Sequence, residues 1–384
     1  MKRLLLLYLA VASIALFSAG DVRCQERPSE PFQLVRALRS LQDRIARGDA
    51  AAYLSFREEL SQLTEQLGQA RDEAWKDPRN VRAAVALVLS GGDPRVLQLL
   101  VSQVAGQEQT LVRGALAYGQ NHNAEAMELL ADVDARTLDP SVAGHIALVQ
   151  AELLAKKDRK KSLALLAEAR LLAPGTMIEE AALRREVALA VESSDPDRFE
   201  TSTIQYLRRF ENSVHMPNFR RQWAVDVATH GMADDPVRRS RLDGTLELLS
   251  ASQRQDIYLS VAWEGLKGGR VDLVRWAAAN AARLAAEDSA QHLRSKLCEA
   301  AVLIVTDEFD KGLSTLESIP VDRLNEEETG LLAAALRIAE QVRREPKTAE
   351  GNGERPRGAT EPRIVVTARS AIDRVDNMLS GGRK

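Results

Sequence analysis

Histidines, cysteines and carboxylates are the residue types in this sequence that could bind a metal ion or transfer a proton. No histidine has partners at a spacing that predicts a metal site on one helix face; the five are His122, His145, His215, His230 and His292. One pair of glutamates, at 179–180, and one triplet, at 326–328, fall where helices are predicted to begin. Because the helix dipole favours negative charge there, capping explains them better than acid–base work. The sequence predicts no catalytic residue, no metal site and no cofactor.

Glycine-rich signatures are also missing. The sequence contains neither Gly-x-Ser-x-Gly, which a nucleophile elbow needs, nor Gly-x-x-x-x-Gly-Lys-Ser/Thr, which cradles phosphate. A wall-lytic enzyme would need a compact catalytic domain after a helical array, and roughly 40 residues after Arg343 are too few to build one. We therefore predict a protein that is not an enzyme and has no small-molecule substrate.

Arginines and aromatic side chains are concentrated in one third of the chain. The predicted partner-binding residues are Arg208, Arg209, Phe219, Arg220 and Arg221. They are interleaved with Tyr206, Phe210 and Trp223, and Arg238, Arg239 and Arg241 follow. Arg and aromatic residues are enriched in protein interfaces. The alternative is a solvated helix face whose aromatic side chains turn inward.

Composition and the first 20 residues predict an exported protein. The chain has 384 residues, 45% of them apolar, and a net charge of -3, which gives no reason to expect a nucleic-acid partner. Lys2 and Arg3 precede the apolar run Leu4 to Phe17, and Ser18-Ala19-Gly20 offers small residues for cleavage. The run is short for a membrane span, so we predict a signal peptide over 1–20, a periplasmic location and no embedding in the membrane.

The two cysteines, Cys24 and Cys298, are too few for a disulfide framework. If cleavage follows Gly20, both reach an oxidising compartment and could pair. The alternative, which we favour, is that Cys298 is a buried helical thiol between Leu297 and Ala300. Asp21-Val22-Arg23 lacks the small residues of a lipid-attachment site, so lipidation of Cys24 is not expected.

Helical periodicity runs through the chain from Phe32 onward. Leu34, Leu38, Leu41 and Ile45 recur at spacings of four, three and four, which is one face of an amphipathic helix. Further helices are predicted up to residue 343, among them 96–104, 177–192, 197–210 and 241–250. No strand-length alternation is seen in this region, so the fold class is all-α.

A local repeat refines this prediction. Ala117, Leu129 and Pro140 recur 34 positions later as Ala151, Leu163 and Pro174, which is the tetratricopeptide period. Over residues 31–343 we therefore predict a degenerate, tetratricopeptide-like, right-handed solenoid of helical hairpins. A generic helical bundle is the alternative, because the 34-residue register holds only over 111–174.

The C-terminal end has a different composition. Residues 344–362 are rich in Gly, Pro, Glu and Arg and predict a flexible linker. A short amphipathic helix is predicted over 363–384, and its apolar stripe is Val365, Ala368, Ile372, Val375 and Leu379. It could fold back as a cap or dock on a partner.

Several strings resemble a known family. They include Pro31-Phe32-Gln33-Leu34-Val35-Arg36, Gly114-Ala115-Leu116-Ala117-Tyr118-Gly119, Gly144-His145-Ile146-Ala147-Leu148-Val149-Gln150, Ala173-Pro174-Gly175-Thr176, Glu179-Glu180-Ala181-Ala182-Leu183-Arg184-Arg185 and Tyr206-Leu207-Arg208-Arg209-Phe210. Together they resemble the MotC family, periplasmic flagellar motor proteins of rhizobia and related α-proteobacteria.

That resemblance implies a non-enzymatic periplasmic component required for flagellar rotation. In that family the expected partner is the periplasmic part of the stator protein MotB. The family offers no catalytic or cofactor residues to carry over. A different function, a helical-repeat scaffold or chaperone for other envelope proteins, stays open on the residues alone.

Overall fold

The computed structural model describes residues 30–344, and within this range it contains seventeen α-helices, three short 3-10 helices and no strand. The all-α prediction is confirmed for these residues. No helix between residues 30 and 344 combines the length and apolar content needed to cross a lipid bilayer. The predicted signal peptide (1–20) and C-terminal helix (363–384) lie outside the described residues, as does the predicted linker beyond residue 344.

The helices follow one another with short connections. They are α1 (Pro31–Ala46), α2 (Ala50–Gly68), α3 (Pro78–Leu89), α4 (Arg95–Gln98), α5 (Gly106–Gly119), α6 (Asn123–Leu130), α7 (Ala143–Leu154), α8 (Arg159–Leu172), α9 (Met177–Glu192), α10 (Pro196–Arg209), α11 (Met216–Thr229), α12 (Pro236–Leu246), α13 (Ala251–Lys267), α14 (Val271–Leu284), α15 (Ala290–Leu303), α16 (Phe309–Ser318) and α17 (Glu326–Arg344). The 3-10 helices span Asp72–Lys76, Ala135–Thr137 and Val321–Arg323.

Most helices begin at a side chain that caps the first turn. Asp49 accepts from the backbone N–H of Ala52, and Asp195 accepts from that of Arg198. Such a cap satisfies an amide that has no partner within the helix. Proline in the first turn, as at Pro196 after Asp195, fixes the backbone torsion that the helix needs. These signals explain why α10 begins where it does.

Of the four predicted helices named above, two differ clearly from the structure. The prediction over 96–104 is wrong in extent, because α4 ends at Gln98 and turns follow. The apolar residues there are still buried: Leu100 is fully covered, and Val101 and Val104 pack against the core. The apolar pattern over 96–104 therefore indicates burial and not a helical backbone. The helix predicted over 241–250 begins earlier, at Pro236, directly after the capping residue Asp235.

The helices pack mainly on their neighbours in sequence and on the next helix but one, so that α13 contacts α11, α14 and α15. The buried apolar residues form clusters that follow one another along the chain, and helices with two apolar faces join the first cluster to the second. On α9, Ala182 and Leu189 belong to the first cluster, whereas Leu183 and Val187 belong to the second. A helix apolar on both sides is buried between its neighbours. The core is thus continued from one group of helices to the next.

The first helix contacts distant parts of the chain. Near its start, the backbone N–H of Phe32 donates to Asn80 Oδ1 at the beginning of α3, at 3.0 Å. Two turns further along α1, Arg39 Nη2 donates to the carbonyl oxygen of Ser141, just before α7, at 2.5 Å. Its last residue, Ala46, joins the second core cluster. Helix α1 therefore bridges the beginnings of α3 and α7 and the second cluster.

The turn after α1 makes a close contact that only glycine allows. Gly48 has a φ of 97°, in the left-handed region, and its Cα faces the carbonyl oxygen of Asn212 in the α10–α11 connection. A Cβ at this position would collide with that oxygen. Tyr53, on α2, lies edge-on against His215 in the same connection, with ring centroids 5.6 Å apart. The α1–α2 hairpin is therefore seated on the middle of the chain.

Candidate functional site

The aromatic side chains near the predicted partner-binding residues form core rather than surface. Phe219 is 7% exposed, and its ring stacks on Tyr206 with centroids 4.0 Å apart. Phe199 and Trp223 stack likewise, and Trp223 Nε1 donates to Thr203 Oγ1 at 3.1 Å. These contacts join α10 to α11. The aromatic side chains therefore turn inward, as the alternative of a solvated helix face predicts, and Phe219 offers little surface to a partner.

The four arginines of the prediction have different surroundings. Arg208 and Arg221 are exposed and Arg220 is half-buried, and none of the three forms an ion pair among residues 30–344. Arg221 Nη2 donates to Asn218 Oδ1 at 2.7 Å, one turn back on α11. Arg209 is different, because its Nε lies 2.8 Å from Oε1 of the buried Glu179. Three arginines remain available to a partner, and their role in binding stays a prediction.

The arginines that follow in sequence are held by the chain itself. Arg238 donates to the carbonyl oxygen of Gly231 at 2.9 Å, and Arg239 donates to that of Ala233 at 2.9 Å. Arg241 pairs with Asp197 at 2.8 Å and with Glu200 at 2.5 Å on α10. Most of this basic run therefore stabilises the beginning of α12 and its contact with α10.

A buried polar cluster at the beginning of α9 was not predicted. Glu179 accepts from the backbone N–H of Gly175 at 2.6 Å, as a capping carboxylate would. Glu180 is fully buried and accepts from Tyr206 Oη at 3.0 Å and from Ser213 Oγ. Burial and the neighbouring Glu180 carboxylate raise the pKa of Tyr206 far above its usual value. The cluster joins α9, α10 and the α10–α11 connection, and it is closed to solvent.

The histidines are dispersed in the structure as in the sequence. Among residues 30–344, no three His, Cys, Asp or Glu side chains are grouped so as to hold a metal ion. His145 is buried, and its Nε2 lies 3.2 Å from Ser90 Oγ. Burial, with a smaller effect of the nearby Arg39, lowers the pKa of His145 to about 4. His145 is therefore neutral at physiological pH and serves the packing of α7 against α3.

One groove brings a predicted residue together with residues that sequence reasoning missed. It has a volume of 510 Å³ and is bordered by Arg221 on α11, by α13, by α15 and by the beginning of α17. We call it the α13–α15 groove; its lining includes Arg221, Asp256, Leu259, Ser260, Trp263, Arg294, Leu297, Glu327 and Glu328. Leu297 is fully buried, whereas Leu259 and Trp263 are half-buried. An apolar floor with charged sides suits a polypeptide ligand.

A larger groove lies between α2 and the C-terminal ends of α3, α5 and α7. Its volume is 1810 Å³, and Phe56, Leu60 and Thr64 of α2 form one side. On its opposite side, Arg95 lies 2.6 Å from Asp93, and Arg185 lies 3.0 Å from Glu152. Arg57, Glu65 and Lys156 also line this groove and make no ion pair among residues 30–344, so its free charges are of both signs.

Comparison with known proteins assigns the chain to a family. The family model described as "Chemotaxis protein MotC" matches residues 1–382. The chain belongs to the MotC family. It is also similar to the chemotaxis protein MotC of Rhizobium meliloti (strain 1021), with 29% identity over 366 residues, 94% of this chain and 82% of the relative. No solved structure matches the chain.

Membership of the MotC family confirms the resemblance carried by the sequence strings and supports a role in motility and chemotaxis. Several residues of these strings are buried, although Arg208 and Arg209 in the last string are exposed. Within one of them, Ala117 is 3% exposed, and within another Ile146 is fully buried. The MotC resemblance was therefore carried mainly by framework residues, and the candidate binding surface has to be located from the structure.

Proposed function

We propose that this protein is a non-enzymatic periplasmic component required for rotation of the flagellar motor, and that it binds the periplasmic part of a MotB-like stator protein. The match of the MotC family model to residues 1–382 carries the proposal. The predicted signal peptide at 1–20 supports export. The exposed Arg221 beside the α13–α15 groove belongs to a surface of the kind that protein partners use.

Deletion of the gene tests this function. We expect cells that assemble flagella of normal number and length but do not swim, because the motor is built and not driven. Normal swimming of the deletion strain would contradict the proposal. Loss of the filaments themselves would point instead to an assembly factor or chaperone for envelope proteins.

Export is tested by complementation of the same strain. A variant that lacks residues 2–20 is expected to stay in the cytoplasm and to leave the cells non-motile. The same variant behind an unrelated export signal is expected to restore swimming. Restoration by the cytoplasmic form would contradict a periplasmic site of action.

Crosslinking in intact cells tests the partner. A photo-reactive residue at Arg221, beside the groove, is expected to crosslink to the periplasmic region of the stator protein, whereas one at the exposed Arg71 is not. Crosslinks from Arg221 to many unrelated envelope proteins would favour the chaperone function.

We also propose that the helices form the tetratricopeptide-like right-handed solenoid predicted from the repeat. Two of its three repeated positions support it: Ala117 and Ala151 are buried in α5 and α7, and Leu129 and Leu163 lie in α6 and α8. Pro174 follows the end of α8 closely, whereas the 3-10 helix Ala135–Thr137 separates Pro140 from α6. A crystal structure in which the successive helix pairs are not related by a constant right-handed rotation would contradict this architecture.

A further inference from the structure

The α13–α15 groove leaves apolar surface uncovered on the described part of the chain. Leu259 and Trp263 pack against the second core cluster on one side, yet both remain half-buried at the floor of the groove. An indole and an isobutyl group left partly in water cost free energy in proportion to their exposed apolar area. A ligand with an apolar stripe would recover that free energy.

The chain itself contains such a stripe beyond its last described helix. Val365, Ala368, Ile372, Val375 and Leu379 recur at spacings of three, four, three and four, on one face of a helix. A single helix of about 20 residues is marginally stable in water unless its apolar face is covered. We infer that residues 363–384 occupy the α13–α15 groove of the same molecule.

The length of the chain permits this return. The groove is bordered by the beginning of α17, at Asn325 to Glu328. Helix α17 has 19 residues, so its end at Arg344 lies about 28 Å from its beginning. The 18 residues 345–362 can span up to roughly 60 Å when extended. They can therefore lead back along α17 to the groove.

The charges of the groove and of residues 363–384 also favour this segment as the occupant. In the groove, Glu264 pairs with Lys267 at 3.2 Å, and Glu328 pairs with Arg294. Two further carboxylates, Asp256 and Glu327, are exposed and make no ion pair among residues 30–344, and they outnumber the one unpaired cation of the described lining, Arg221. The segment carries Arg363, Arg369 and Arg374 around its apolar stripe and has a net positive charge. These arginines can pair with the two free carboxylates at the sides of the groove.

Disulfide trapping in the full-length chain tests the inference. In a Cys24→Ser, Cys298→Ala background, Ser260→Cys at the groove is combined in turn with Val365→Cys, Ile372→Cys or Leu379→Cys on the stripe. Mild oxidation is expected to give an intramolecular disulfide for at least one pair, seen as a faster-migrating monomer on a non-reducing gel. The matched controls are Ser260→Cys with Ser370→Cys, on the opposite helix face, and Ser252→Cys, outside the groove lining, with Ile372→Cys.

The stripe pairs are expected to crosslink at least fivefold more completely than the controls. Equal yields for stripe and control pairs, or no disulfide at any stripe position, would overturn the inference. Disulfide-linked dimers whose yield rises with protein concentration would overturn it in favour of a second copy of the chain. Circular dichroism and the melting temperature of each variant show that the comparison is made between folded proteins. The test does not involve the stator protein, so its result is independent of the proposed function.

Discussion

Nε of Arg209 lies 2.8 Å from Oε1 of Glu179, which binds an arginine of the predicted interface to a buried carboxylate. Glu179 is 3% exposed, and its carboxylate also accepts from the backbone N–H of Gly175 at 2.6 Å. The same guanidinium stays about half exposed at the end of α10. Arg209 is therefore a structural residue whose outer edge also faces solvent.

Substitution of Arg209 should separate stability from binding. We expect Arg209→Ser to lower the free energy of unfolding by about 1–3 kcal/mol, because it leaves a buried carboxylate without its charged donor. Arg208→Ser, one residue away and without an ion pair, is expected to change it by less than about 0.5 kcal/mol. Urea unfolding followed by circular dichroism measures both. Equal effects of the two substitutions would show that the Arg209–Glu179 pair makes no net contribution to the free energy of unfolding.

The hydroxyl of Tyr206 should contribute more to the free energy of unfolding than the hydroxyl of an exposed tyrosine. Tyr206→Phe keeps the stacked ring but removes the donor to the fully buried Glu180, which then keeps only Ser213. We expect a loss of about 1–3 kcal/mol in the free energy of unfolding. Tyr53→Phe, whose side chain is half exposed, is the control and should be nearly neutral. Adding Glu180→Gln to Tyr206→Phe should recover part of the loss, since a neutral amide needs less compensation than a carboxylate.

Helix α9 shows that the bounds of a helix could be predicted from the sequence. Its bounds, 177–192, were predicted exactly as they are observed, because Thr176 caps its beginning and apolar residues continue to Val191. Helix α2 likewise begins at Ala50, directly after the capping Asp49. Capping side chains and the 3.6-residue period are local signals, and both can be read from neighbouring residues.

The candidate site was harder to predict, for a different physical reason. Phe219 was expected at an interface, and it packs on Tyr206 instead. Composition identifies aromatic residues but does not say which side of a helix faces the core when both sides carry them. The α13–α15 groove joins residues from Arg221 to Glu328, more than 100 positions apart. Such a surface depends on how distant helices pack, and no local pattern specifies it.

Acidification should destabilise the protein through His145. Its pKa in the folded state is lowered to about 4 from an ordinary value of 6.5, because burial disfavours the imidazolium. The unfolded chain therefore takes up a proton first as the pH falls. The histidine makes no contribution above pH 6.5, and roughly 3 kcal/mol of stability is lost progressively between pH 6.5 and pH 4.

The comparison that isolates this effect uses His145→Gln, which can still bond to Ser90 and does not titrate. Urea unfolding at pH 7.5 and at pH 4.5 gives the change in free energy for each protein. The wild type should lose about 2–3 kcal/mol more than the variant over this interval. Other titrating groups are common to both proteins and cancel in the difference. Parallel pH profiles would show that His145 titrates normally in the folded state.

Gly48 should be far less replaceable than another glycine with positive φ. Gly269 has a φ of 66° and open space around its Cα, so Gly269→Ala should cost about 1–2 kcal/mol from backbone strain alone. Gly48→Ala adds a collision with the carbonyl oxygen of Asn212, for which we expect a further ~1–3 kcal/mol. Hydrogen exchange of Gly48→Ala should also increase in the α10–α11 connection. Equal costs at both glycines would mean that the hairpin is not held against this connection.

The thiol of Cys298 should be unreactive in the folded protein. It is 2% exposed, and burial raises its pKa to about 12, so almost no thiolate is present at pH 8. In a Cys24→Ser background, we expect no reaction with a thiol reagent before unfolding and one equivalent in denaturant. The same inaccessibility disfavours the pairing of Cys298 with Cys24, which lies outside the described residues. Rapid labelling of the native protein would show that α15 opens readily.

The three predicted partner-binding arginines that form no ion pair within residues 30–344 give the most direct test of the binding surface. Combined substitution of Arg208, Arg220 and Arg221 by Ser should weaken binding to the periplasmic region of the stator protein at least tenfold, because arginines at an interface contribute charge-assisted hydrogen bonds. The melting temperature should change by no more than about 2 °C, since none of the three supports a buried group. The control replaces Arg36, Arg71 and Arg113, which are exposed elsewhere, and so alters the net charge equally. If both triple variants bind alike, overall charge and not the α10–α11 arginines governs the interaction. If only the variant at 208, 220 and 221 loses binding while it stays folded, these arginines contact the partner.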